Sequence, residues 1–405
     1  MANAGEQQAD RRRIPMSDYT TIDRFLAQSV RAVRADAAAP WFGGGDGADG
    51  SGDWRAEWGR IEYHGIATLL HRHAALLSNW PDALIERIAE EARLVALWEA
   101  THGKLVARLI RALADTGIAS VVLKGTALAY WLHDDPATRR RGDTDLLVEP
   151  AQLDAARAVL VENGWSRRDD VHGINRQEGW IGPSVGGFEH VVDLHWAPVD
   201  SNVLRKLLAI EECFANARPL PRLDEAARRP EAAFAMVHAV VNQQWHQVHG
   251  YYAEEGRIAE ARRLIWSVDF DLLTSAMDEA DWQRLLSMCE RGGVGPLVAD
   301  ALRAASRDLG TTLPEKHMAA LSAQGRNAAL ADYFSNTDEL SGFLLDLRNA
   351  PNLSDRARML AMRAFPPRAH LRRKYRDREG WPVPLLRASH VIGGIARLLK
   401  RAVRT

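Results

Sequence analysis

Apolar positions along the chain follow two different periods. From residue 55 to 117, apolar side chains recur every three or four positions, the spacing of one face of an α-helix, and this spacing returns over residues 228–348. Between these regions, a short β-branched run at 120–123 and a segment at 143–148 that carries Asp-x-Asp are typical of strands. The pattern predicts an α+β protein, in which a small mixed-sheet core is embedded between helical N-terminal and C-terminal regions.

Shifts in composition divide the chain into five segments. Within the core, residues 166–190 are rich in glycine and polar groups, and we expect them to form a hairpin or a loop over a cleft. The expected segments are a flexible N-terminal segment and loop (1–54, with a short helix at 21–35), a helical region (55–117), the α/β core (118–200), a helical domain (201–350) and a basic C-terminal segment (351–405).

A glycine turn connects the first predicted strand to a helix. Gly125 permits a tight turn, and we expect Thr126 to cap a helix over 127–133. The free N–H groups and partial positive charge of a helix N-terminus suit a phosphate. Lys124 and the arginines at 139–141 add positive charge nearby in the sequence. This turn is therefore a candidate site for the phosphates of a nucleotide.

The next predicted strand carries Asp143 and Asp145. Residues two apart on a strand share a face, so both carboxylates point the same way, with Cα atoms about 6–7 Å apart, while Thr144, Leu146 and Val148 point to the other face. The two carboxylates repel each other and lose solvation, and a cation between them relieves both effects. Mg²⁺ takes such oxygen ligands together with water and phosphates, and pairs of these ions drive phosphoryl transfer.

These motifs resemble those of a known superfamily. The segments LKGTALAYWL, RRRGDTDLLV and VVDLHW are similar to the nucleotidyltransferases that include DNA polymerase β and the aminoglycoside adenylyltransferases. They resemble more closely a branch of large, uncharacterised bacterial nucleotidyltransferases. The resemblance implies that Gly125 and Thr126 fill the glycine–serine position, that Asp143 and Asp145 bind metal, and that Asp193 supplies a third carboxylate.

The chain departs from the wider superfamily pattern in two ways. Thr126 stands where Gly or Ser is usual, and the spacer from Gly125 to Asp143 is longer than in the compact members. The long spacer, with Arg141 shortly before Asp143, does resemble the branch of large proteins. The similarity extends in outline over residues 60–400, and it is specific at the three motifs.

Asp193 and His195 share one face of a later predicted strand. If this strand neighbours the first pair of carboxylates, Asp193 faces the same cleft and can act as a general base toward an attacking hydroxyl. For His195 three interpretations stay open. It contacts the triphosphate, it orients Asp193, or it is a buried histidine bonded to the backbone.

Two polar stripes at helical spacing lie in the second helical region. We expect them to form either the wall opposite the metal site, where base, ribose or acceptor binds, or a polar seam between helices. A zinc site is not expected, because histidines at i and i+8 lie about 12 Å apart along a helix. The stripes are His238, Asn242 and His246, and Arg263, Trp266 and Asp269.

The net charge of −1 hides an asymmetry. Residues 356–405 hold 14 Lys and Arg against two carboxylates, a net charge of +12, so the remaining chain carries −13. Either this basic segment packs on the acidic body, or it meets an anionic partner. The two cysteines, Cys213 and Cys289, have no zinc or disulfide spacing. With neither a signal peptide nor a membrane span in the sequence, we expect a cytoplasmic protein.

Together these observations predict a Mg²⁺-dependent enzyme, with two ions expected and Mn²⁺ as an alternative. It would transfer a nucleoside monophosphate from ATP or another triphosphate to a hydroxyl or phosphate of a small molecule, peptide, sugar or protein; nucleic acid is a less expected partner. The alternatives are a transferase with a nucleotide-sugar donor and a catalytically silent nucleotide sensor. The candidate catalytic and metal-binding residues are Asp143, Asp145 and Asp193, and the nucleotide-binding candidates are Lys124, Gly125, Thr126, Arg141, His195, His238 and Asn242.

Overall fold

A computed structural model gives the fold of the chain. Residues 1–18 and the glycine-rich loop within 42–53, which were predicted to be flexible, lie outside the described residues. The described residues are 19–41, 54–168, 176–249, 251–253, 256–258, 262–335, 339–366, 368, 371, 375, 378 and 380–402.

The N-terminal part of the chain is helical, as its apolar spacing predicts. A short helix expected over 21–35 is confirmed as the first of this group. The helices are α1 (Tyr19–Arg34), α2 (Arg55–His64), α3 (Ala67–Arg72) and α4 (Asp82–Asp115).

The central part alternates strands with short helices. The expected strand, turn and strand around the two aspartates are present, with the first helix starting earlier than predicted. The elements are β1 (Ser120–Val122), α5 (Lys124–Leu132), β2 (Asp143–Val148), α6 (Leu153–Glu162), β3 (Ser166–Arg167), β4 (Gln177–Ile181), β5 (Val191–His195), α7 (Asn202–Arg205), α8 (Ile210–Ala215), β6 (Arg218–Pro219) and β7 (Arg228–Arg229).

The C-terminal part is helical again, as predicted, and a short hairpin of β8 and β9 interrupts a stretch in which the sequence showed little sign of strands. The elements are α9 (Ala232–His249), β8 (Tyr251–Ala253), β9 (Gly256–Ile258), α10 (Leu264–Ala276), α11 (Glu279–Gly292), α12 (Gly295–Leu309), α13 (Glu315–Ala323), α14 (Ala328–Ser335), α15 (Glu339–Arg348), α16 (Leu353–Ala364) and α17 (Val383–Ala402). Among the helices described, none has the length and apolar character needed to cross a bilayer.

One mixed sheet forms the centre of the fold, with the strand order β1-β2-β5-β4-β3. β2 and β5 run parallel, and the other neighbours are antiparallel. The expected hairpin within 166–190 is β3 and β4, which extend the sheet beside β5. A small mixed sheet flanked by helices confirms the predicted α+β class.

The two faces of the sheet have different partners. Leu146, Val148 and Leu194 pack with α4 and α6, whereas Leu147 packs with α5 and α9 on the opposite side. Since side chains alternate along a strand, Thr144 lies on the first side and both aspartates of β2 lie on the second. We call these the back face and the front face of β2.

Helix α10 connects the two helical regions. Trp266 and Val268 pack in the apolar cluster of the N-terminal helices, while Phe270 and Leu273 pack in the cluster that contains α9, α11 and α12. Burial on both sides fixes α10, and with it the front side of the core.

Candidate active site

Three side chains converge on the front face where β2 and β5 run side by side. The parallel register places Asp145 opposite Asp193, and His195 follows on the same face of β5. Among the described residues, Asp145, Asp193 and His195 form a group whose ligand atoms all lie within 4.8 Å of one another. The neighbouring strands that the sequence argument required are therefore present. Asp143 lies two residues along β2, outside this tight group.

Asp145 is the best-partnered carboxylate of the front face. Its Oδ1 accepts a hydrogen bond from Lys124 Nζ at 2.6 Å and lies 2.9 Å from His195 Nε2. Burial alone would raise the pKa of Asp145, but the Lys124 ammonium and the bond to His195 outweigh it and hold the pKa below its usual value. Asp145 is therefore ionised across the physiological range.

For Asp143 and Asp193, burial and repulsion outweigh the attraction of the nearby cations. Burial, followed by repulsion from the other two carboxylates, raises the pKa of Asp143 to about 7. Burial and repulsion from Asp145 also raise the pKa of Asp193. Across β4, Gln177 donates a hydrogen bond to Asp193 Oδ2 at 3.2 Å. Lys124 attracts all three carboxylates, and Arg141 and Arg168 attract Asp143 and Asp193, respectively. The raised pKa values of Asp143 and Asp193 mean that burial and repulsion still prevail, which favours a bound cation.

His195 contacts a different residue from the one we expected. The sequence suggested that it orients Asp193, contacts a triphosphate or bonds to backbone, whereas its Nε2 is bonded to Asp145. The contact follows from the register, which pairs His195 with Leu147 and so places it diagonally across from Asp145 on the neighbouring strand. A contact with triphosphate stays a prediction.

Lys124 and Gly125 begin α5 beside the carboxylates. Lys124 has a left-handed backbone, with φ of 47°, which is uncommon for a residue with a side chain. This turn aims its ammonium at Asp145. A Cβ built on Gly125 would meet Arg141 at 3.6 Å and Arg139 at 3.7 Å, which is ordinary contact. The surrounding protein therefore leaves room for a side chain at Gly125, and the same space is open to a ligand.

Thr126 does not cap the helix. The helix begins two residues earlier, at Lys124, and Thr126 is buried in its first turn. Its Oγ1 lies 2.9 Å from Thr144 Oγ1 and receives a hydrogen bond from Arg141 Nε at 2.9 Å. The expected cap is thus wrong, because Thr144 on the back face is buried and needs a polar partner within the core.

Arg141 is held in the same buried network. Its guanidinium forms an ion pair with Glu99 at 2.7 Å, and Glu99 also accepts a hydrogen bond from the Tyr130 hydroxyl at 2.7 Å. On the other side, His102 Nε2 lies 2.8 Å from Thr144 Oγ1, and burial lowers the pKa of His102 to about 2. The structure gives Arg141 an internal partner where the sequence predicted a nucleotide contact.

The wall facing α5 comes from α9 and α10. His238, Asn242, Trp266 and Asp269 line one pocket together with Lys124 and Gly125. That this wall binds base, ribose or acceptor stays a prediction. Asp269 also forms a buried ion pair at 2.8 Å with Arg139, in the segment that precedes β2.

The remaining members of the two stripes lie away from the pocket lining. Arg263 Nε donates to the Tyr63 carbonyl at 2.6 Å, and His246 stacks on Trp266 with ring centroids 5.5 Å apart. Both contacts join helices of the core. Helical spacing therefore identified residues on one side of each helix. It did not distinguish those that line the pocket from those that pack against other helices.

His238 is the most constrained polar group of the wall. Burial, with a further contribution from the Lys124 ammonium, lowers its pKa to about 3, so the ring is neutral. It bonds to the Pro198 backbone, and Nε2 has no hydrogen-bond partner among the described residues. A neutral ring nitrogen without a partner is a free hydrogen-bond acceptor for a ligand hydroxyl or amine.

Sequence reasoning missed two residues at the far end of the pocket. Arg229 lies with its guanidinium carbon 3.5 Å from the centroid of the Trp131 ring, and it donates to the Pro230 carbonyl at 2.8 Å. Burial lowers the pKa of Arg229 to about 10. Arg229 belongs to no motif, and Trp131 lies within LKGTALAYWL but had no assigned role. They meet because β7 and α5 both flank the sheet, a juxtaposition with no local signal in the sequence.

The comparison with known families fits this geometry. A family described as "Uncharacterised nucleotidyltransferase" matches residues 50–310, which include the sheet, the carboxylate cluster and the facing wall. No curated protein matches the chain.

Proposed function

Because the chain belongs to this nucleotidyltransferase family, whose members transfer phosphorus-containing groups, we propose that it moves a nucleoside monophosphate from a triphosphate to an acceptor hydroxyl or phosphate. The observation that carries the proposal is the convergence of Asp145, Asp193 and His195 on one face of two parallel strands, with Lys124 beside them. In phosphoryl-transfer enzymes, divalent ions stabilise the attacking and leaving oxygens, and a carboxylate cluster of this kind can hold such ions.

The donor set fits a divalent cation. Asp143, Asp145 and Asp193 supply oxygen ligands of the kind Mg²⁺ prefers, and the raised pKa values of Asp143 and Asp193 reflect burial and mutual repulsion that a bound cation would relieve. The nitrogen of His195 makes Mn²⁺ a suitable alternative. When bound, the cation neutralises phosphate charge at the reacting centre.

We assign proton transfer to Asp193. The acceptor oxygen attacks the α-phosphorus and gives its proton to the Asp193 carboxylate, while the bond from the α-phosphorus to the pyrophosphate oxygen breaks and pyrophosphate leaves. A raised pKa makes this carboxylate a better proton acceptor than an ordinary exposed aspartate. Gln177 holds Oδ2 in place through its 3.2 Å hydrogen bond.

Lys124 and Gly125 are our candidates for phosphate binding. The N-terminus of α5 presents backbone N–H groups and a partial positive charge, and Gly125 leaves space for close approach. The pocket beyond them is lined by His238, Asn242 and Trp266. We assign the nucleoside or the acceptor to this pocket, where His238 Nε2 accepts a hydrogen bond.

The test is a transfer assay that follows α-labelled triphosphates and pyrophosphate release with and without Mg²⁺ or Mn²⁺. We expect metal-dependent pyrophosphate release in the parent chain and none in Asp145→Asn. The matched control is Asp154→Asn, because Asp154 lies on α6 with a side chain that is 94% exposed. Equal activity in Asp145→Asn and the parent would remove the proposed site, and metal and nucleotide binding without turnover would identify a silent sensor.

A further inference from the structure

Exposed apolar side chains concentrate at the C-terminal end of the chain. Of the twelve large apolar side chains that are exposed among the described residues, six lie after residue 350. Leu385 and Ile392 on α17 are 52% and 66% exposed, and Trp381, just before this helix, is 45% exposed. Apolar groups gathered in this way mark an interaction surface more often than isolated ones do.

A surface helix normally turns its apolar side toward the core, but α17 leaves part of that side exposed. Leu386 is buried, and His390 Nε2 donates to the Arg363 carbonyl at 3.1 Å, so the side that carries His390 packs on α16. Leu385 and Ile392, seven positions apart on one helical stripe, point to solvent. The helix therefore leaves an apolar stripe uncovered.

The charge of this segment limits what covers the stripe. Residues 356–405 carry a net charge of +12, and the rest of the chain carries −13. Arg358 forms an ion pair at 3.2 Å with Asp355, which belongs to the same helix rather than to the acidic body. In the sequence, Ile395 and Leu399 continue the apolar spacing, and α17 carries four basic residues, at 387, 397, 400 and 401.

We propose that α17 docks on an anionic lipid surface through its apolar stripe. A basic amphipathic helix with Leu and Ile on its apolar side lies in the plane of a membrane interface, where a flanking tryptophan is also favoured. Anionic headgroups attract the +12 segment and repel the −13 body, which sets the orientation of the molecule. A second copy of the chain would bring two +12 segments together, and a nucleic acid would leave the apolar stripe unused.

The experiment is sedimentation of the full chain with large unilamellar vesicles. We expect binding to vesicles of phosphatidylcholine with phosphatidylglycerol, weakening as salt rises, and little binding to phosphatidylcholine alone. Replacing both Leu385 and Ile392 with Asp should lower the partition coefficient by about tenfold or more, since two side chains lose apolar burial, with thermal stability unchanged. The matched control is Leu94→Asp with Leu97→Asp, two exposed leucines on α4 that are 49% and 59% exposed.

Three outcomes would overturn the proposal. The first is equal binding by the double variant and its parent. The second is absence of vesicle binding together with self-association that the double variant abolishes, which would assign the stripe to a second copy. The third is absence of vesicle binding together with RNA or DNA binding that the double variant retains, which would assign the basic residues to nucleic acid. None of these readouts depends on nucleotidyl transfer.

Discussion

Consecutive residues of β2, with a rise of about 3.3 Å each, place polar side chains on opposite faces of the sheet. The two faces differ in how completely the protein supplies partners for these side chains. On the back face, Thr144 is bonded to Thr126 and His102, and the network continues to Arg141 and Glu99. On the front face, three carboxylates share the ammonium of Lys124. The back face is closed on itself, and the front face keeps an excess of charge.

This difference separates structural from functional polar residues. A buried polar group that serves packing finds its partners inside the protein, as Thr144 does. A carboxylate whose pKa is raised by burial and by neighbouring carboxylates, as in Asp143, costs folding free energy, and such a cost is typical of sites that bind a ligand or metal. Each prediction below perturbs one face and leaves the other intact.

The largest effect is expected for Asp193→Asn on the front face. The amide keeps the shape of the side chain but cannot take the acceptor proton, so kcat should fall by about 10²–10⁴. The affinity for triphosphate, measured by calorimetry at saturating Mg²⁺, should change little. A loss confined to nucleotide affinity would make Asp193 a ligand rather than a base.

On the back face, Arg141→Gln should act on stability. It leaves the buried Glu99 carboxylate without its 2.7 Å partner, and breaking a buried pair costs about 3–5 kcal/mol. Denaturant unfolding would measure the loss. The double variant with Glu99→Gln should recover part of it, because no unpaired charge stays buried. If the loss of unfolding free energy in the double variant equals the sum of the losses in the two single variants, the two side chains do not stabilise each other. That result would contradict the role assigned to the ion pair.

Gly125→Ala tests the approach of phosphate. The added methyl meets protein atoms at 3.6 Å or more, so the variant should fold normally. A triphosphate close to the backbone would be displaced, and we expect about tenfold weaker binding, or about 1.4 kcal/mol. Calorimetry with a non-hydrolysable triphosphate measures this. Unchanged affinity would place the phosphates away from the start of α5.

Asp143→Asn should give the smallest effect, with an unusual sign. The folded-state pKa of Asp143, about 7, lies above its ordinary value of 3.8, so the folded protein loses stability as pH rises between these values. Removing the charge should therefore stabilise the metal-free protein at pH 8, by about 1 kcal/mol after solvent screening. The gain should shrink toward pH 4. A destabilised variant at pH 8 would contradict the repulsion that we assign to the front face.

The sequence predicted the front face well because its signals are local. Alternation along a strand places Asp143 and Asp145 on one side, and a parallel neighbour is enough to bring Asp193 to them. The roles of these residues still await the experiments above. The family match over 50–310 supports the nucleotidyltransferase resemblance that these motifs suggested.

The contacts on the back face, and the contact between Arg229 and Trp131 in the pocket, could not be predicted. In each case the two partners are far apart in the sequence. Arg141 pairs with Glu99, 42 positions away, and its sequence neighbourhood suggested a phosphate instead. Thr126 was expected at a helix cap because Gly-Thr before a helix is a capping pattern, but the left-handed turn at Lys124 starts the helix earlier. Arg229 meets Trp131 only through the packing of β7 on the sheet.

The central claim is that the front face of β2 binds metal and nucleotide while the back face supports the strand. Thermal unfolding with Mg²⁺ and a non-hydrolysable triphosphate tests it most directly in three chains, the parent, Asp145→Asn and Thr144→Val. Ligand at about 100 times its Kd should stabilise the parent by about 2.7 kcal/mol. Thr144→Val should start less stable but show a similar gain, and Asp145→Asn should show almost none. A full gain in Asp145→Asn, or no gain in the parent, would contradict the account.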